Sequence, residues 1–334
     1  MRNDQRGVTM PGSGSRGFRT NRREATMIAA RLLRVAAIGA ASVGGLSGAL
    51  YGLLSGQSRH ARRVIGLPTA EPPNADGTYL PTDATGRAHA SSEPALDFAV
   101  LGDSSAAGLG VELPRELPGA RLAEGLAEEL ERPVVLRTHA VVGSTSRELA
   151  RQVETVLREP PRLALVLIGV NDVTTRVPIG TSVRLLEEAV TEMTRAGTAV
   201  VVGTCPDLGA IRPIPQPLRS VARRYSLLLA REQRRAVERA GGHAVPLADL
   251  LSPEFLTRPV ELFGPDRFHP SAAGYEMATE LLLPTLCDAI GAWQGAPVPS
   301  APRRSEAVEA RRPTRRLVAR LNLRWGSRTK PADS

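Results

Sequence analysis

Lysine is almost missing from this chain: of its 43 basic residues only Lys330 is a lysine, and the rest are arginines. Cysteine is nearly as scarce. Cys205 and Cys287 form no Cys-x-x-Cys pair and stand in no metal-ligand spacing, which excludes a disulfide framework and a zinc module. Both read as free, partly buried thiols. Aromatic side chains make up only 3% of the residues. A nucleic-acid surface that interleaves stacking rings with cations has little to draw on here.

The net charge of +9 does not restore that reading once it is divided along the chain. Residues 1–93 hold 12 basic and 6 acidic side chains, and residues 294–334 hold 10 and 3. The stretch between them, 94–293, holds 21 and 25, so it is mildly acidic. The positive charge sits on the two ends, and no nucleic-acid partner is expected. An apolar share of 42% is ordinary for a globular core.

Charge is also missing from one long run. Residues 35–58, VAAIGAASVGGLSGALYGLLSGQS, carry none, and their length fits a bilayer crossing of about 20 residues. Eight arginines precede the run, and Arg59, Arg62 and Arg63 follow it. This bias predicts an N-terminus inside and the remainder exported, as a single-pass transmembrane anchor or a signal sequence. Gly44, Gly48, Gly52 and Gly56 recur every fourth residue and would give a small-residue face for helix–helix association. The organisation expected is a basic segment (1–34), the anchor or signal (35–58), a linker (59–93), a globular domain (94–293) and a basic, disordered tail (294–334). The protein is expected at the cell membrane with this domain outside the cytoplasm, or secreted.

Within 94–293, short apolar runs alternate with amphipathic stretches. LDFAVLG (96–102), PVVLRTHA (133–140), LALVLIG (163–169), TAVVVGT (198–204) and HAVPLAD (243–249) read as strands. Helices are expected near 121–131, 145–158, 181–196, 217–240 and 271–290. Strands without in/out alternation, separated by helices, predict a five-stranded parallel sheet covered on both faces, a three-layer α/β/α sandwich. In such folds chemistry gathers beyond the carboxyl ends of the strands.

Those ends carry the polar residues of interest. The first strand runs into Gly102-Asp103-Ser104-Ser105, and the second leads to HAVVGSTS with Gly143. The third ends in IGVND with Asn171 and Asp172, the fourth in GTCPD, and the loop before the last helix reads GPDRFHPSAAGY. Serine is a poor nucleophile until a base takes its proton. His269 is suited to that task at neutral pH, and Asp266, three residues earlier, is placed to hold the other imidazole nitrogen. A tetrahedral intermediate needs preorganised donors. The turn peptide at Ser104, the backbone N–H of Gly143 and the side-chain amide of Asn171 are suitable. Asp103 is expected to structure its turn and Asp172 to brace a loop. His139 and His243 read as structural, and Cys205 is placed to line an acyl pocket.

These four blocks, GDSS, VVGSTS, GVND and DRFHP in that order, resemble those of the SGNH, or GDSL, hydrolases, over roughly residues 94–293. The likeness is greatest to secreted or membrane-anchored actinobacterial esterases of that family. It implies a flavodoxin-like sandwich, a Ser104–His269–Asp266 triad, and Ser104, Gly143 and Asn171 as oxyanion donors. It implies no metal and no organic cofactor. The activity implied is hydrolysis of carboxylic esters of lipids, acetylated glycans or small molecules through an acyl-serine. An acyltransferase using the same acyl-enzyme and a non-catalytic binding module on the same fold are the alternatives. Where the second block of this family often carries Asn or Ser ahead of its glycine, this chain has Ala140 and Val141.

Overall fold

The computed structural model describes residues 51–61, 63–65, 71–82, 88, 91–293, 295 and 298–299. The chain divides into two compact units, Met1–Gly56 and Gln57–Ser334. Of the first, only residues 51–56 are described, and they are helical. The expected anchor therefore lies outside the described residues over 35–50, as do Gly44, Gly48 and most of the basic tail. Among the described residues no helix is long and apolar enough to cross a membrane.

The second unit opens with helical residues 57–61 (α1). It contains a six-stranded sheet of β1 (Gly77–Tyr79), β2 (Leu96–Gly102), β3 (Val134–Thr138), β4 (Leu163–Leu167), β5 (Ala199–Gly203) and β6 (His243–Val245). Their spatial order is β1-β3-β2-β4-β5-β6. The five strands from β2 to β6 are parallel and are the five expected. The sixth, β1, is an antiparallel edge strand pairing Gly77 with Leu136 and Tyr79 with Val134. It comes from the stretch read as a linker, where a three-residue strand leaves no alternation to detect.

Side-chain alternation splits the parallel strands between two cores. Phe98, Val100, Leu163 and Leu165 face one side, packing on α3 (Pro118–Leu130), α8 (Leu247–Thr257) and α10 (Ala272–Ala289). Ala99, Leu101, Ala164 and Val166 face the other, packing on α4 (Leu149–Val156), α6 (Ile179–Arg195) and α7 (Leu218–Arg239). Both faces being covered explains the unbroken apolar runs. The three-layer α/β/α sandwich expected from the sequence is thus the observed architecture.

Helix α8 begins at Leu247, inside the stretch expected to finish the fifth strand, because Pro246 removes the donor that would continue the ladder. Three short helices went unread: α2 (Ser104–Ala107), α5 (Val170–Thr175) and α9 (Pro259–Leu262). Each is six residues or fewer, too short to show a helical period.

The chain passes from β2 to β3 on one side and then crosses to β4 on the other. The crevice of this flavodoxin-like order opens between the ends of β2 and β4. Ser104 follows β2 and Asn171 follows β4, so the first and third motifs flank that crevice.

Candidate active site

The turn after β2 is set by Gly102, whose φ of +135° brings its Cα against β4. A Cβ there would stand 1.9 Å from the carbonyl oxygen of Leu167, so no other residue fits. The close approach lets the Asp103 N–H donate to Leu167 O at 3.0 Å. Asp103 then caps α2, its Oδ1 accepting the Ser105 N–H at 2.9 Å. Ser104 becomes the first helical residue, and its hydroxyl is buried among the strand ends.

The second part comes from the loop before α10. Gly264 N–H donates to His269 O at 2.8 Å, closing the loop on itself. Asp266 Oδ1 accepts the backbone N–H groups of Phe268 and His269 at 2.9 and 3.0 Å. Its other oxygen faces the imidazole, with His269 Nδ1 and Asp266 Oδ2 2.5 Å apart. Burial alone would raise the Asp266 carboxyl, but the bonds from His269 and the two N–H groups outweigh it and hold it below the usual carboxylate range. After Pro270, Ser271 caps α10 by accepting the Gly274 N–H at 3.2 Å. Tyr275 on that helix donates its hydroxyl to Leu109 O at 2.8 Å, tying the base loop to the nucleophile turn.

These two loops, 165 residues apart in sequence, meet at 3.0 Å between His269 Nε2 and Ser104 Oγ. With Nδ1–H donating to the carboxylate, Nε2 accepts the serine hydroxyl. Ser104, His269 and Asp266 thus form one hydrogen-bonded line, with the serine and the imidazole both buried.

Of the three expected oxyanion donors, Ser104 supplies the first N–H of α2, which has no acceptor within that helix. Asn171 directs one amide hydrogen to Ser144 O at 3.0 Å, leaving its second as a donor. Gly143 has φ +86°, and a Cβ on it would meet no atom within 4 Å. What restricts this position is therefore its backbone conformation and not neighbouring protein atoms.

Polar residues absent ahead of Gly143 appear behind it and pin the loop. Buried Asp172 accepts the Ser146 N–H at 3.2 Å and its hydroxyl at 3.1 Å. Burial keeps the Asp172 carboxyl above its ordinary value, with the Ser146 and Ser182 bonds pulling the other way.

Two glutamines went unread. Gln152 Oε1 accepts the Gly102 N–H at 2.7 Å, and its Nε2 donates to Gly102 O at 2.9 Å and to Ser144 Oγ at 3.3 Å. One buried amide thereby clamps both the nucleophile turn and the second block. Gln233 does the same between the ends of β4 and β5, accepting the Cys205 N–H at 2.8 Å and donating to Ile168 O at 3.0 Å. Each sits on an apolar stripe, Gln152 with Leu149, Val153 and Val156, and Gln233 with Leu229, Ala236 and Val237. A lone polar residue on such a stripe was the available signal.

Cys205 departs from expectation. It is fully buried beneath Gly169, and burial pushes its thiol well above the ordinary value. His139 and His243 lie at the end of β3 and the start of β6, outside the line. Among the described residues no group of three His, Cys, Asp or Glu side chains is arranged to hold a metal ion.

Residues 100–277 match the GDSL-like lipase/acylhydrolase family. The chain belongs to this family. The GDSL-like esterase Rv1075c of Mycobacterium tuberculosis is 42% identical over 255 residues, covering 75% of this chain and 81% of that one. Among solved structures, LAE5, an alpha/beta hydrolase enzyme from the metagenome of Lake Arreo, is 21% identical with a TM-score of 0.48, covering 62% of this chain and 99% of that one. TesA is 22% identical with a TM-score of 0.47, covering 58% and 99%. As a GDSL-like hydrolase the chain is a carboxylic-ester hydrolase.

Proposed function

We propose that this GDSL-like hydrolase cleaves esters through an acyl-serine intermediate, with Ser104 as nucleophile, His269 as general base and acid, and Asp266 as the group that orients and stabilises the imidazole. The observation that carries the reading is the continuous line Ser104 Oγ–His269 Nε2–His269 Nδ1–Asp266 Oδ2, at 3.0 and 2.5 Å.

In the first half-reaction Ser104 Oγ bonds to the ester carbonyl carbon while its proton passes to Nε2. The tetrahedral oxyanion faces the Ser104 and Gly143 N–H groups and the second amide hydrogen of Asn171. Collapse breaks the bond to the alcohol oxygen, which leaves with the proton from Nε2. Water then repeats the sequence on the acyl-serine, returning the acid and the free hydroxyl. The sequence register selects Ser104 over Ser105, whose N–H instead serves the Asp103 cap.

A serine-reactive fluorophosphonate reads this out. Ser104→Ala is expected to lose the label and nearly all turnover of p-nitrophenyl acetate, and Ser105→Ala to keep the label. Labelling that survives in Ser104→Ala and vanishes in Ser105→Ala would overturn the assignment.

The same reading extends to placement. The uncharged run 35–58 with its flanking arginines supports an N-terminal membrane anchor or signal, with the hydrolase domain outside the cytoplasm or secreted. The small-residue face at Gly44, Gly48, Gly52 and Gly56 supports helix–helix association there.

A further inference from the structure

Asp103 pairs only half of its carboxylate. Oδ1 accepts the Ser105 N–H at 2.9 Å, whereas Oδ2 is buried with no hydrogen-bond partner among the described residues. The residue lines a cavity beside the imidazole, bounded by α8, α10 and the loop after β5. His269 lines the same cavity, and the rest of the wall is chiefly apolar, with Leu208, Ile211, Leu251 and Phe255. Capping does not call for a charge at this position. Asn and Ser cap a helix as well as Asp does, and α2, at four residues, is too short for its dipole to reward an acid. What Asp103 adds over those residues is a carboxylate, which the fold buries at a cost.

We propose that Asp103 is a positioning residue acting through His269: its ionised carboxylate shares this cavity with the imidazole and stabilises the imidazolium that forms when Ser104 gives up its proton. The inference rests on the assignment of Ser104 as nucleophile and His269 as base.

Both ring nitrogens are already taken. Asp266 Oδ2 stands 2.5 Å from Nδ1, and Ser104 Oγ 3.0 Å from Nε2. Asp103 therefore acts on the ring through space, across an apolar wall that screens charge far less than water does.

The groups around it leave that field uncompensated. Asp172 of α5 acts on Asp103 as a like charge and repels it. Cys205 after β5 and Tyr275 of α10 feel the Asp103 charge too, but burial pushes both well above their ordinary values and keeps them neutral. Asp207, also on the cavity wall, is taken up by Arg223 and by the Ser252 hydroxyl, each at 3.0 Å. His269 is the group in this set whose positive charge attracts the Asp103 carboxylate. Burial holds that carboxyl up to about 6, so below this pH it is neutral and offers the imidazolium nothing, and above it the full charge acts.

The test is kcat/KM of the full chain on p-nitrophenyl acetate from pH 5 to 8, for the parent, Asp103→Asn and Asp103→Ser. Both variants keep a capping side chain and remove the charge. Each is expected to run within about twofold of the parent at pH 5 and about tenfold below it at pH 8, the lower end of what an opposite charge contributes in a desolvated site. Asp103→Ser answers the question if Asp103→Asn does not fold. A side chain that only caps the turn would cost the same factor at every pH. A loss equal at pH 5 and pH 8, or no loss at pH 8, overturns the role of Asp103 while Ser104-dependent turnover stands. His269→Ala checks the reading beneath it: turnover at the parent's level without the imidazole would overturn the base, and this proposal with it.

Discussion

Asp103 is held in two ways that pull against each other. Its Oδ1 caps α2, but its Oδ2 is buried without a hydrogen-bond partner. Burial pushes the carboxyl from an ordinary 3.8 up to about 6, against the opposing pull of the Ser105 N–H and of nearby His269. The folded protein therefore binds this proton more tightly than the unfolded chain does. The associated stability is complete below the ordinary value and is lost as pH rises through about 6, to a total of about 3 kcal/mol. Asp103→Asn keeps a good cap and removes the ionisation. Urea unfolding should find the variant more stable than the parent by about 1–2 kcal/mol at pH 5 and about 3 kcal/mol at pH 8. A gap that does not widen with pH would show that Asp103 is not the titrating group. Asp266 has the opposite environment: three donors hold it ionised, and two of them are backbone groups of its own loop. Its side chain therefore builds the loop as well as orienting the base.

At the scale of elements, the site depends on segments that carry none of its chemistry. Residue Gln57 of α1 donates to Gln216 O at 2.6 Å and accepts the Leu218 N–H at 3.0 Å, seating α1 at the start of α7. One turn later Ala61 is buried in a cluster with Leu208, Ile211 and Ile214 of the loop after β5. The beginning of the expected linker is thus part of the hydrolase unit. Ala61→Asp would place a carboxylate in that cluster, and releasing α1 costs far less than burying the charge. Hydrogen exchange should accelerate at least about tenfold at residues 57–61 while the amides of β2 and β4 keep their protection. Unchanged protection at 57–61 would mean that Ala61 does not hold the segment. The glutamine clamps act at the same scale: Gln152 joins α4 to the end of β2, and Gln233 joins α7 to the ends of β4 and β5.

For the whole molecule, charge is distributed so that a mildly acidic hydrolase domain lies between two arginine-rich ends. Anionic lipid surfaces attract such ends, and the uncharged run adjoins the first of them. Fractionation separates attraction from insertion. Carbonate washing strips proteins held by charge alone and leaves an anchored chain in the membrane pellet. The full-length hydrolase is expected to stay in the pellet, with its catalytic domain accessible to protease from outside the cell. Recovery of the intact chain wholly in the cytoplasmic fraction, with 35–58 still present, would refute both anchor and signal.

What was legible in the sequence was whatever local pattern encodes. The five parallel strands showed because both faces of the sheet are covered, which leaves their central positions apolar on both sides. Ser104, Asp266, His269, Gly143 and Asn171 showed because each follows a strand or precedes a helix, where a parallel sheet gathers its ligands. Tertiary structure alone decided the rest. A lone glutamine on an apolar stripe does not name its partner, so the bond from Gln152 to Gly102 waits on the packing of α4 against β2. The edge strand β1 has three residues, too few for a period, and exists only because β3 offers it a free edge. The cavity beside His269 is bounded by α8, α10 and the loop after β5, segments that do not adjoin in sequence, and its volume is what side-chain packing leaves between them. Volume of that kind is a property of three-dimensional contact and has no signature along a chain.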